Sequence, residues 1–211
     1  FREYEKQAIE LFHKGNARNA MRIICGMIEG SQGLPEPDDN YYMFSDCFNV
    51  HLREFLIEGL GRIVAEIETV VLSANQVKEA MEILFDRYRQ YENEDTEIGY
   101  NLNLLEPLLI SLVKDKDTAG YLKEKLTQEN IPADQLPHLP LRIAEVQKDV
   151  AAWTEHAEQF AAFDKKIARQ LMDKYLEKDA GEDFIRTAQA AFDKWPSHFD
   201  SYIVKTLNKD K

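Results

Sequence analysis

Apolar side chains recur at a helical period along almost the whole chain, and nowhere do they alternate like strands bounded by hairpin turns. Residues 4 to 14 put Tyr4, Ala8, Leu11 and Phe12 on one stripe. Residues 17 to 28 put Ala20, Ile23, Ile24, Met27 and Ile28 on another, with Gly15 and Asn16 between the two. In "EGSQGLPEPDDN", Pro35 and Pro37 forbid a continuous helix. A long helix is predicted from about Tyr42 to Ser73 on Leu52, Phe55, Leu56, Leu60, Ile63, Val64 and Ile67, and another over 75–90 with Val77, Ala80, Met81, Leu84, Phe85 and Tyr88 inward. After the polar turn "YENEDTE", the run "IGYNLNLLEPLLISLVKD" is apolar on too many sides for a surface helix, and Pro107 must kink it or begin a new helix there. A short helix over 118–128 leads to the proline-rich "NIPADQLPHLP", then helices over 140–148, 149–161, 164–178 and 182–194, and a last one from Ser197 to Leu207. The chain reads as all-α.

One spacing repeats. Gly15 is followed at offsets of five, nine and thirteen by Ala20, Ile24 and Ile28; Asn75 by Ala80, Leu84 and Tyr88; Asp179 by Phe184, Ala188 and Phe192. These offsets place three apolar residues on one helix face, with a small residue where a paired helix comes closest. The stretches "KGNARNAMRIICGMIE" and "KDAGEDFIRTAQAAFDKWP" resemble the tetratricopeptide repeat in their turn, small-residue and closing-Pro pattern. Phe184 stands where that family prefers Ala, Asp179 where it prefers Gly, and Tyr4 alone answers to the Trp of its first helix. The resemblance implies antiparallel helical hairpins stacked into a curved α-α superhelix that binds another protein. A looser similarity is to the helical segment that accompanies SWIM zinc fingers, although the finger's own zinc ligands do not occur in this chain. On this reading residues 1–130 form N-terminal hairpins with an acidic Pro/Gly loop at 30–40, residues 131–140 connect, and residues 141–211 form C-terminal repeat-like helices continuing one array.

Composition narrows the function classes. The 38 acidic against 26 basic side chains give a net charge of -12, which repels a phosphate backbone, and no Lys/Arg-rich run offsets it. Nucleic acid is therefore not an expected partner. No apolar stretch approaches the roughly 20 residues of a membrane span. Cys25 and Cys47 are too few for a disulfide framework and fit reduced cytoplasmic thiols. The start at Phe1, with a helix already under way, reads as a piece of a longer cytoplasmic protein, although a removed leader would leave the same start.

Candidate chemistry is sparse. Cys47 and His51, four apart on a helix, have metal-ligand spacing, and Asp46 is adjacent, with His13 or Cys25 as further ligands if the fold brings them near. Two ligands alone do not close a tetrahedral site. Neither cysteine lies in a nucleophile motif, and Cys25 sits one position off the packing stripe. The carboxylate pairs Asp38/Asp39 and Glu94/Asp95 fall in solvated loops, without the burial that acid-base catalysis needs. There is no GxxxxGK or GxGxxG phosphate loop. Trp153 could be a ligand platform, but core packing is the favoured reading.

The most plausible interaction surface is "YRQYENEDTEIGYNLN", where Arg87, Arg89, Tyr91, Tyr100, Asn101 and Asn103 bring residue types suited to contact area and hydrogen bonding, with Tyr88 given to the core. The chain is thus expected to be a non-enzymatic protein-interaction or scaffolding module that binds another polypeptide. It is expected to need no catalytic residue, metal or cofactor, and to bind neither nucleic acid nor membrane. The alternative is a metal-binding or catalytic helical domain using Cys47 and His51.

Overall fold

In a computed structural model the chain is all-α. The structure describes residues 1–31, 42–93, 98–178, 180–197 and 199, with the side chains of 42–53, 91–93 and 98–103 outside that description. The helices are α1 (Arg2–His13), α2 (Ala17–Gly30), α3 (Tyr42–Thr69), α4 (Ala74–Asn93), α5 (Ile98–Leu112), α6 (Lys116–Gln128), α7 (His138–Gln147), α8 (Val150–Phe160), α9 (Lys165–Glu177) and α10 (Gly181–Lys194). None among the described residues is long and apolar enough to cross a membrane. The chain divides into two compact units, Phe1–Leu139 and Pro140–Lys211.

In the first unit α1 packs on α2 and α3, α2 on α4, α3 on α5, and α4 on α5 and α6. Odd and even helices thereby fall into two rows, as stacked hairpins do. The first turn shows how sequence dictates this. Gly15 adopts φ +71°, a left-handed conformation that favours glycine. Asn16 then caps α2 by accepting from the Asn19 backbone N–H at 3.3 Å. Gln76, at the start of α4, donates Nε2–H to the Gly15 carbonyl at 2.5 Å and so ties the turn to the neighbouring helix row. A Cβ on residue 15 would lie 2.6 Å from that same Nε2.

The repeat offsets from Gly15 and Asn75 are buried at all three positions: Ala20, Ile24 and Ile28, then Ala80, Leu84 and Tyr88. The third set departs from expectation. Phe184 and Ala188 are buried, but Phe192 is 41% exposed and Ala191 takes the inward place. Residues 184, 188 and 191 form an i, i+4, i+7 stripe, and residue 192 is rotated off it. Two other inward assignments are corrected. Tyr4 is 56% exposed, because α3 docks on the side of α1 that carries Glu5. Phe55 points out because Leu56, Leu60, Ile63 and Ile67 already form the buried stripe of α3.

Helix α5 runs through Pro107, so the proline begins no new helix. Buried Leu104, Leu105, Leu108, Leu109 and Leu112 hold the helix together across the missing backbone bond. Its neighbour Glu106 is buried and accepts from the backbone N–H of His138 at 2.7 Å and of Leu139 at 3.2 Å, satisfying two donors at the start of α7. At the far end of α3, Lys114 donates its ammonium to the carbonyls of Ile67 and Val70, both at 2.5 Å, capping the last turn.

In the second unit α9 packs on both α8 and α10. Asp149 caps α8 and Asp164 caps α9. The core gathers Trp153, Phe160, Tyr175, Phe184 and Phe199 around Leu171 and Met172. Trp153 is therefore a packing residue, its ring face covered by Lys174 Nζ at 3.6 Å from the centroid. Most of the helix expected from Ser197 to Leu207 lies outside the described residues.

Candidate functional site

An open apolar groove lies on the α1–α2 hairpin. Its volume is about 460 Å³ and it is lined by Phe1, Tyr4, Ile23, Gly26, Met27 and Gly30. Helical spacing builds it: Phe1 and Tyr4 stand one turn apart beside α1, and Ile23 and Met27 stand one turn apart on α2. Met27 is buried and forms the floor, Ile23 is half-buried, and the two aromatic rings are exposed walls. Gly26 and Gly30 keep the α2 side shallow, since a Cβ on either would meet nothing within 4 Å.

Long-range ion pairs tie the helices of this unit together. On the far side of α1, Glu5 receives a two-pronged hydrogen bond from Arg62, at 2.5 and 2.8 Å, and this holds its carboxyl below the usual range. Arg87 pairs with Glu29 and donates to Gln90 at 2.6 Å. Arg89 meets Glu129 with two nitrogens and Asp86 at 2.7 Å. Arg18 and Arg22 on α2 are exposed, and Arg22 Nη1 donates to Asn19 Oδ1 at 3.5 Å.

The surface expected at residues 87–103 is described only in part. Arg87 and Arg89 act as struts between helices, and Tyr88 is buried, its hydroxyl donating to Gln135 Oε1 at 2.7 Å. The side chains of Tyr91, Tyr100, Asn101 and Asn103 lie outside the described residues, as do those of Asp46, Cys47 and His51, and residues Asp38, Asp39, Glu94 and Asp95. Of the remaining candidate ligands, His13 Nε2 lies 3.2 Å from Glu66 Oε2. Cys25 is buried, and loss of solvent pushes its thiol up to about 11 against the opposing pull of Arg87, so it is a packing side chain and no nucleophile at neutral pH. Among the described residues no three His, Cys, Asp or Glu side chains converge as a metal would require.

Tyr4, Ile23 and Met27 were expected on packing stripes, and none of the residues that build the groove was expected to bind a partner. The available signal was Gly26, a glycine inside a helix that costs roughly 1 kcal/mol relative to Ala, followed one turn on by Gly30 at the helix end. Comparison with family models, with curated proteins and with solved structures finds no match.

Proposed function

We propose that this chain is a non-enzymatic module that binds another polypeptide, with the α1–α2 groove as its contact surface. The observation that carries the reading is the groove itself: apolar lining, two exposed aromatic side chains, and a glycine-bearing wall that no described residue covers. Aromatic anchors around a desolvated pocket are the usual seat of binding energy between proteins. The reading agrees with the protein-binding role that the tetratricopeptide resemblance implies, and the net charge of -12 argues against a polyanionic partner.

The test is photo-crosslinking in native lysate from a probe at Asn19, beside the groove, read against the same probe at Lys123 on α6. The expected result is a discrete polypeptide adduct from the first position and none from the second. Equal labelling from both positions, or none above background, removes the reading. A stoichiometric metal ion in protein purified without added metal would move the assignment to Cys47 and His51.

A further inference from the structure

Three helices of the first unit share one register. Buried residues recur at i, i+1 and i+4 as Ala20, Met21 and Ile24 in α2, as Ala80, Met81 and Leu84 in α4, and as Thr118, Ala119 and Leu122 in α6. Positions i+3 and i+7 of that register are therefore equivalent in the three: Ile23 and Met27, Ile83 and Arg87, Tyr121 and Lys125. In α6 this row meets α4, since Tyr121 donates its hydroxyl to Glu82 and Lys125 Nζ lies 2.6 Å from Glu82 Oε1. In α4 the row meets α2, where Arg87 pairs with Glu29. In α2 the same row is the groove wall.

The same contacts fix direction. Gln76 near the start of α4 reaches Gly15 just before α2, and Arg87 further along α4 reaches Glu29 near the end of α2, so the two helices run parallel. Lys125 to Glu82, then Glu129 to Arg89, repeat that relation between α6 and α4. The groove thus stands at the place where α4 and α6 each receive a neighbouring helix. One difference selects what enters. Arg87 and Lys125 each hold a carboxylate of the helix they meet, whereas Met27 at the equivalent position is apolar, as is every other lining residue apart from the glycines. A charge brought there would lose its water without gaining a partner.

We propose that the groove takes a helical hairpin of another polypeptide, docked as α1 and α2 dock on α3 and α4. Its second helix runs parallel to α2 against Ile23 and Met27, and carries an apolar side chain where α2 itself offers Glu29 to Arg87. The proposal rests on reading the groove as a protein-binding surface. It adds the partner's fold, its direction on α2 and the absence of charge on its docking face, all by continuity with the α2–α4 and α4–α6 interfaces.

The experiment selects two display libraries on the full chain, one of two-helix hairpins and one of single helices, both with a randomised docking face, and measures individual binders by fluorescence anisotropy. Hairpins with an uncharged docking face are expected to bind about tenfold or more tightly than any single helix. Gly26→Glu should weaken them by a similar factor without lowering the melting temperature, because its side chain enters open space inside an apolar groove. Met27→Arg transplants the cation of Arg87, and reselection on that variant should bring Asp or Glu into the second helix of the hairpins, which then bind it about tenfold more tightly than the unchanged chain. Gly30→Arg, open and on the same row, repeats the reselection if Met27→Arg melts early.

Single helices that match the hairpins overturn the proposal but leave the wider binding reading standing. Hairpins indifferent to Gly26→Glu, or reselection on a folded arginine variant that brings no acidic residue, overturn the register and with it the proposal. Two libraries with no binder overturn the proposal as well, and the crosslinking test then decides the wider reading independently. Concentration-dependent dimerisation that Gly26→Glu abolishes would seat a second copy in the groove and overturn the proposal.

Discussion

Residues 1–139 carry 25 acidic and 14 basic side chains, a net of -11, whereas residues 140–211 carry 13 and 12. The first unit spends its scarcer cations across long chain distances. Arg62 reaches Glu5 over 57 positions, Arg89 reaches Glu129 over 40, and Lys114 reaches the end of α3 over 47. The second unit is built from neighbours in sequence, α8 on α9 and α9 on α10, around an aromatic core. Partly exposed ion pairs contribute only modestly to stability, roughly 0–1 kcal/mol each, but they discriminate between registers. Buried rings contribute more and discriminate through shape. The difference teaches that a largely aliphatic helix stack can take its alignment from polar struts over long chain distances, whereas the second unit joins its helices around large rings, with shorter-range ties from Tyr175 to Glu158 and from Lys194 to the Ala162 carbonyl.

Both tryptophans, Trp153 and Trp195, belong to the second unit, so tryptophan fluorescence reports that unit while helical circular dichroism reports both. The largest expected effect is in the aromatic core. Phe184→Ala should destabilise the second unit by about 3–5 kcal/mol, seen as an earlier fluorescence transition in denaturant. A shift below about 1 kcal/mol would show that the rings there are loosely packed.

Next in size is Ala20→Leu, which forces added methylenes into the fully buried α2 stripe and should cost the first unit about 1–3 kcal/mol. The dichroism transition should move and the fluorescence transition should not. Movement of both together would mean that the two units unfold as one.

Acid should sharpen the comparison further. The hydrogen bond from Arg62 lowers Glu5, that from Arg89 lowers Glu129, and the bonds from Thr118 lower Asp115. For Glu82, burial pushes upward, but bonds from Lys125 and Tyr121 outweigh it and the carboxyl is held low. All four lie in the first unit, and each titrates lower folded than unfolded. Their contribution is complete above the ordinary carboxylate range of about 4 to 4.5 and is lost as pH falls through the lower folded values. Helical dichroism should therefore decline before tryptophan fluorescence during acid titration. The reverse order would remove the polar struts from the account.

The smallest effect is a gain. Gly26→Ala replaces a helical glycine whose Cβ direction is open, and should stabilise the first unit by about 0.5–1 kcal/mol, read as a higher dichroism midpoint. No gain would mean that the position is less helical or less open than described. A gain would show that the groove is kept at some expense of stability.

The sequence by itself determined the all-α class, most helix bounds, the buried offsets after Gly15 and Asn75, and the packing role of Trp153, because these follow from local turn chemistry and the 3.6-residue period. Turning Tyr4 out and Glu5 in needed the partner on α3, since only the docked guanidinium of Arg62 makes the buried carboxylate acceptable. The same holds for Arg87 and Arg89, whose carboxylates lie far along the chain, and for Phe192, where the period permits either of two adjacent residues to face inward. The groove was decided in the same way. A pair of helical glycines is visible in sequence, but whether their open side faces a neighbouring helix or nothing depends on which helices pack there, and periodicity does not encode that choice.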